Sequence, residues 1–246
     1  MPVARFRFYA ELNDFLPPER RARTFEHPFL DRASVKDMVE AFGVPHTEVD
    51  LILANGEPVD FAYVVRDGDR ISVYPMFEAL DIGPVTRVRP QPLRDPRFVL
   101  DTHLGRLAGY LRMMGFDTLY RNDYGDEELA RISREERRIL LTRDRGLLKR
   151  GAVTHGSYVR ETAVRGQLAE VLRRFDLFRA AHPFRLCMRC NTALEPAARD
   201  QVLDRLPPRA AELYHDFLVC PGCRRIYWKG GHYERMRRFI ESIHPV

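Results

Sequence analysis

The stretch RFVLDTHLGRLAGYLRMMGFDTLYR, residues 97–121, decides the fold of the larger part of the chain. Its first apolar run, Phe98–Leu100, has the length of a buried strand and stops on an acid, Asp101. Leu104, Leu107, Ala108, Leu111 and Met114 then share one helical face, and Gly115 ends that helix. DTLYR returns to a strand pattern. Further on, DEELARISREE opens on Asp126 with two more acids, as the first turn of a helix favours. RILLTRD reads as a third strand with Asp144 just past its end, SYVR as a fourth. AVRGQLAEVLRRF is a helix with Leu168, Val171 and Leu172 inward. Strands alternating with helices predict a parallel sheet with right-handed crossovers.

In such a sheet the functional crevice lies beyond the carboxyl ends of the strands. That rule brings Asp101 and Asp144 to one place, with Asp126 as a third carboxylate. Converging carboxylates repel unless a cation sits among them. Hard oxygen ligands select magnesium or manganese, and such an ion activates water and stabilises charge on a phosphodiester. Arg106, Arg143 and Arg145 lie nearby in sequence and can grip phosphates. Each acid also has a plain reading: a helix cap for Asp101 and Asp126, a turn residue for Asp144.

All four cysteines fall in two C-x-x-C pairs, CMRC at Cys187–Cys190 and CPGC at Cys220–Cys223. Four soft thiolates suit tetrahedral zinc, and a set of four leaves no open position, so the site is expected to be structural. A redox dithiol needs one pair, not two. The pairs are 29 residues apart, longer than the common spacer of about 15–20, so EPAARDQVLDRLPPRAAELYHDF is an insert. Phe217–Val219 and Arg225–Trp228 read as strands flanking CPGC. In YWKGGHYERMRRF, His232 and Arg235 can hold phosphate and Tyr227 and Trp228 can stack bases. Packing is the favoured role for Trp228.

At the other end, VARFRFYAEL alternates, with Ala4, Phe6, Phe8 and Ala10 on one face. SVKDMVEAFG is a short helix, with a Ser34–Asp37 capping pair, a stripe of Val35, Met38, Val39 and Phe42, and Gly43 at its end. LILANGEPVDF is a hairpin turning at Asn55-Gly56, and RDGDRISVYP supplies a last strand. Prolines 84, 90, 92 and 96 make DIGPVTRVRPQPLRDP a linker. The expected modules are therefore 1–80, a linker over 81–96, 97–182 and 183–246.

Charge divides along the same line. Residues 1–80 hold 9 Lys and Arg against 14 Asp and Glu, while the rest holds 31 against 21. A basic region of this size points to a polyanion, most often nucleic acid. There is no secretory signal and no run of about 18 apolar residues, so neither export nor a membrane span is expected. A cytoplasmic, reducing setting agrees with unpaired thiols.

The first module resembles the ThiS/MoaD-type β-grasp branch of the ubiquitin-like superfamily, from VPHTEVDLILANGEPVDF to DGDRISVYP. Those carriers work through a terminal Gly-Gly carboxylate. Here the strand runs on into MFEALDIGPV, so the module is expected to be an interaction or regulatory module without the carrier chemistry, with a protein partner docking through residues 1–80. LDTHLGRLAGYLRMMGFDT, DEELARISREERRILLTRDRGLL, LCMRCN, CPGC and YWKGGHYERM together resemble the Mut-seven C-terminal RNase family. That resemblance implies a PIN-like nuclease domain with an appended zinc ribbon and divalent-metal-dependent RNA cleavage. It assigns Asp101, Asp126 and Asp144 to the metal site. The fourth acid of ordinary PIN nucleases has no clear counterpart, Glu161 matching by position alone. The rival expectation is a non-catalytic RNA- or ribosome-binding adaptor on the same scaffold.

Overall fold

The computed structural model describes residues 1–30, 32–75, 86–88 and 96–243. The first module comprises β1 (Val3–Phe8), β2 (Phe25–Pro28), α1 (Val35–Ala41), β3 (Leu51–Ala54), β4 (Glu57–Val59) and β5 (Arg70–Tyr74). β6 (Phe98–Leu100), α2 (Gly105–Met113), β7 (Thr118–Leu119), α3 (Asp126–Glu135), β8 (Ile139–Thr142), α4 (Arg145–Leu148), β9 (Gly156–Tyr158) and α5 (Val164–Arg174) follow. The chain closes with β10 (Glu195–Ala197), α6 (Pro208–Leu213), β11 (Phe217–Val219), β12 (Ile226–Trp228) and α7 (Gly231–Glu241).

The first module is a mixed five-stranded sheet in the order β2-β1-β5-β3-β4, with β1 and β5 parallel at its centre. Alternation in β1 buries Ala4, Phe6 and Phe8 against Val35, Met38, Val39 and Phe42 of the α1 segment. Ser34 caps α1 by accepting from the Asp37 amide at 3.1 Å. Asn55 and Gly56 turn β3 into β4 with φ of 55° and 96°, the paired left-handed values of a type I′ hairpin. This is the expected β-grasp. Two local points differ. Ala10 leaves the strand and opens a 3-10 turn, Ala10–Phe15. β2 is an edge strand that the pattern did not announce, because four residues ending in Pro28 carry little periodicity.

β6, β8 and β9 are parallel, with Leu100 opposite Leu141 and Leu141 opposite Ser157. The residues of β6 and β8 are buried throughout, as strands covered on both faces require, while β9 buries only Ser157. β9 begins one residue earlier than SYVR suggests, and α4, a single turn after Asp144, is a further difference.

Contacts divide the chain into two compact units. One is Met1–His103 with Asp123–Arg160, and the other is Leu104–Asn122 with Glu161–Val246. In the first, the β-grasp module is fastened to the β8–α4–β9 region. Glu48 accepts from the Tyr158 amide at 2.7 Å and pairs with Arg160 at 2.9 Å. His46 reaches the Val153 carbonyl at 2.9 Å, and Lys149 donates to the Glu40 carbonyl at 2.7 Å. Most of the expected linker over 81–96 lies outside the described residues; of the part described, Val88 packs in the β-grasp core.

In the second unit, α2 and α5 pack together and the cysteine region is tied to the end of α2. Buried Arg112 donates to the carbonyls of Thr118, Met188 and Arg189. Gly115 has φ +92°, and a Cβ there would lie 2.2 Å from the His182 carbonyl oxygen. Only glycine fits both demands.

Candidate carboxylate site and metal centre

Asp101 stands at the tip of β6 and is 8% exposed. Its Oδ1 accepts from the Thr102 amide at 2.6 Å, and its Oδ2 accepts from the Thr142 hydroxyl at 2.6 Å. Thr142 Oγ1 in turn accepts from the Asp144 amide at 2.9 Å. One fully buried hydroxyl on β8 therefore orients the Asp101 carboxylate and the backbone of Asp144. Thr142 was not singled out from the sequence. The signal was present in TRD, where a hydroxyl residue ends a strand two positions before the acid.

Asp144 caps α4, its Oδ1 accepting from the amides of Gly146 at 2.6 Å and Leu147 at 3.3 Å. Its Oδ2 takes no hydrogen bond among the described residues. Asp126 is the first residue of α3 and not its cap, which is Gly125. Its carboxylate faces Arg150 at 3.5 Å, with both side chains more than two-fifths exposed. The three acids thus belong to one compact unit. Among the described residues they do not form a three-ligand group within 4.8 Å, a distinction held by the cysteines alone. The donor set still suits magnesium, which binds through one or two carboxylates and keeps several waters.

The arginines predicted beside these acids have structural partners. Arg143 donates to the carbonyls of Val159 at 3.1 Å and Arg160 at 2.9 Å. Arg145 donates to the carbonyls of Asp14 and Phe15, both at 3.4 Å, and lies over the Phe15 and Tyr158 rings. Arg106 is exposed on α2, and His232 and Arg235 are exposed on the first turns of α7. Glu161 lies in the segment before α5, its carboxylate standing where a Cβ on Gly166 would come, 2.6 Å from Oε2.

The four Sγ atoms lie within 4.8 Å of one another, with Cys187–Cys223 at 3.5 Å and Cys190–Cys220 at 3.3 Å. Tetrahedral zinc with Zn–S bonds of about 2.3 Å separates its sulfurs by about 3.8 Å, so the set can hold that ion. β11 and β12 form the hairpin that carries CPGC. Gly222 lets the two knuckles close, since a Cβ there would meet Thr192 Oγ1 at 2.7 Å. Burial pushes the Cys190 thiol up, but hydrogen bonds from Thr192 and its neighbours outweigh this and bring it to about 6. Burial and its fellow thiols push Cys223 up to about 12.

Tyr227, outside the ligand set, places its hydroxyl 3.1 Å from Cys187 Sγ. Trp228 packs on Phe217, Val202 and Leu206, the last two supplied by the insert. Its indole lies where a Cβ on Gly230 would stand, 2.7 Å away. Packing is thus its observed role.

No helix among the described residues is long and apolar enough to cross a membrane. Residues 96–240 match the family described as Mut7-C RNAse domain, and residues 1–81 match the family described as Mut7-C ubiquitin. No curated protein and no solved structure matches the chain.

Proposed function

The chain belongs to the Mut7-C RNase domain family, and from that premise we propose that it is a metal-dependent ribonuclease acting at the carboxyl ends of β6 and β8. The observation that carries this reading is the Asp144–Thr142–Asp101 chain of hydrogen bonds. It holds one buried carboxylate in a fixed orientation and fixes the backbone of Asp144, whose Oδ2 takes no hydrogen bond among the described residues. Asp101 and Asp144 would hold magnesium or manganese, with Asp126 as a third acid. The ion, when bound, supplies positive charge for the phosphoryl oxygens and a more acidic water. Asp101 and Asp144 fix the direction of attack, and Thr142 keeps both in register. In-line hydrolysis then leaves 5′-phosphate and 3′-hydroxyl ends. The cysteines hold a structural zinc, and four thiolates kept for a metal fit a reducing compartment such as the cytoplasm.

The test is cleavage of a mixed, end-labelled RNA pool with magnesium or manganese, comparing wild type with Asp144→Asn after zinc content is confirmed. Metal-dependent cleavage that disappears in the variant supports the reading. One observation favours a second reading, a non-catalytic RNA- or ribosome-binding adaptor: every one of the three acids also has a structural occupation. RNA bound but uncleaved by both proteins would select it.

A further inference from the structure

A polyanionic substrate needs cations that are free to meet it. Around Asp144 they are already engaged: Arg143 holds two carbonyls, Arg145 holds two more, and Arg160 holds Glu48 and Asp14. A different set lies along α3. An open groove of about 670 Å³ is lined by Glu127, Ala130, Arg131, Arg134, Arg150 and Gly151, among others. It adjoins Asp126, whose Oδ2 is 3.5 Å from Arg150.

Arg131 and Arg134 are three residues apart on one helix, so they stand as neighbours on its surface. Arg150 comes from beyond the end of α4. Arg134 has no ion-pair partner among the described residues. Arg131 pairs with Glu135 at 2.7 Å, both side chains more than half exposed. An exposed pair of this kind is weak and screened by salt, so a phosphate can replace the glutamate. Ala130, Gly151 and Ala152 contribute short side chains or none, leaving the floor open to a strand backbone.

We propose that this groove is the track for single-stranded RNA leaving the carboxylate site, with Arg131, Arg134 and Arg150 each holding a phosphate. The proposal rests on the ribonuclease reading. It shifts the phosphate contacts from Arg143 and Arg145 to arginines on the α3 side.

The experiment is a salt titration of binding to a fluorescein-labelled single-stranded RNA, repeated with heparin as a second polyanion. It compares the full-length, zinc-loaded wild type with two variants. One combines Arg131→Gln, Arg134→Gln and Arg150→Gln. The other is Gly151→Glu, which puts a negative charge in the groove. A Cβ on Gly151 meets no atom within 4 Å, so the backbone there has room for a side chain. Three lost phosphate contacts should lower the slope of log K against log salt by about 2, and Gly151→Glu should weaken RNA binding several-fold. Wild-type slope and affinity in both variants would overturn the groove while leaving a cleaving wild type as a ribonuclease. Groove-dependent heparin binding without RNA binding would remove RNA as the occupant and sink the ribonuclease reading with it. Binding of neither polymer by wild type would overturn both.

Discussion

Thr142 Oγ1 lies 2.6 Å from Asp101 Oδ2, a contact between adjacent parallel strands that joins two segments forty-one residues apart. The register of β6 on β8 sets it, because Leu100 opposite Leu141 puts the two following side chains at one sheet end. Both residues are nearly or fully buried. Thr142→Val keeps the shape and removes the hydroxyl. It leaves a buried carboxylate one donor short and the Asp144 amide without its acceptor. The expected loss is about 1–3 kcal/mol in chemical denaturation, with a fall in cleavage. Thr142→Ser should recover both. A valine variant as stable and as active as wild type would show that the contact orients nothing.

Asp144 has two roles that substitution can separate. As a cap it needs only a side-chain oxygen, and asparagine caps about as well as aspartate. As a metal ligand it needs the negative charge. Asp144→Asn should therefore stay within a few tenths of a kcal/mol of wild type in stability and lose cleavage. Asp144→Ala should lose cleavage and about 1 kcal/mol as well. Equal loss of stability in both variants would show that the carboxylate charge, and not the cap, supports the fold.

Much of this arrangement was legible in the sequence. Apolar runs ending on acids gave β6 and β8, helical stripes gave α1, α2 and α5, and an acidic first turn gave α3. The paired C-x-x-C motifs gave the four-cysteine cluster that can hold a metal. What escaped were features fixed by tertiary contact. β2 is four residues long and held by its neighbour β1. The partners of Arg143 and Arg145 are carbonyls, which carry no residue-type signature. Thr142 reads as one more β-branched strand residue until Asp101 is placed beside it. Arg112 carries no sign in the sequence that it is buried, and its partners are carbonyls of the cysteine knuckle.

Glu48 ties the β-grasp module to the β9 edge. Its side chain is 0% exposed and serves both the Tyr158 amide and Arg160. An exposed edge strand invites pairing with other chains, and this carboxylate occupies one of the donors that β9 presents. Arg160 is partly exposed and keeps Asp14, so the main cost of removing Glu48 is the Tyr158 amide left without its acceptor, about 1–3 kcal/mol. Glu48→Ala should destabilise by about that amount, and Glu48→Gln by less because its carbonyl oxygen still accepts from Tyr158. Hydrogen exchange at the Tyr158 amide gives the local readout, with faster exchange expected in Glu48→Ala. Unchanged exchange would mean that the module does not hold this edge in solution.

The zinc centre makes the last prediction. One zinc per chain should be found by elemental analysis, and a strong chelator should unfold the region carrying the cysteines, since structural zinc contributes an apparent 10–16 kcal/mol or so of folding energy. The buried Cys187 and Cys220 should be the most sensitive to serine substitution. Zinc takes thiolates, so protons compete with it and affinity should fall as pH is lowered. Tyr227 adds a finer test. Its hydroxyl is 3.1 Å from Cys187 Sγ and donates to the sulfur when that sulfur is a thiolate. Burial, and then the bond to Cys187, push the Tyr227 hydroxyl above its ordinary range, which keeps it a donor. Partners of this kind are worth about 10–100-fold in metal affinity. Tyr227→Phe should therefore release zinc to a chromophoric chelator at a concentration lower by a factor of that order, with the fold intact while zinc is bound. Release at the wild-type chelator concentration would show that the hydroxyl only fills space beside the sulfur.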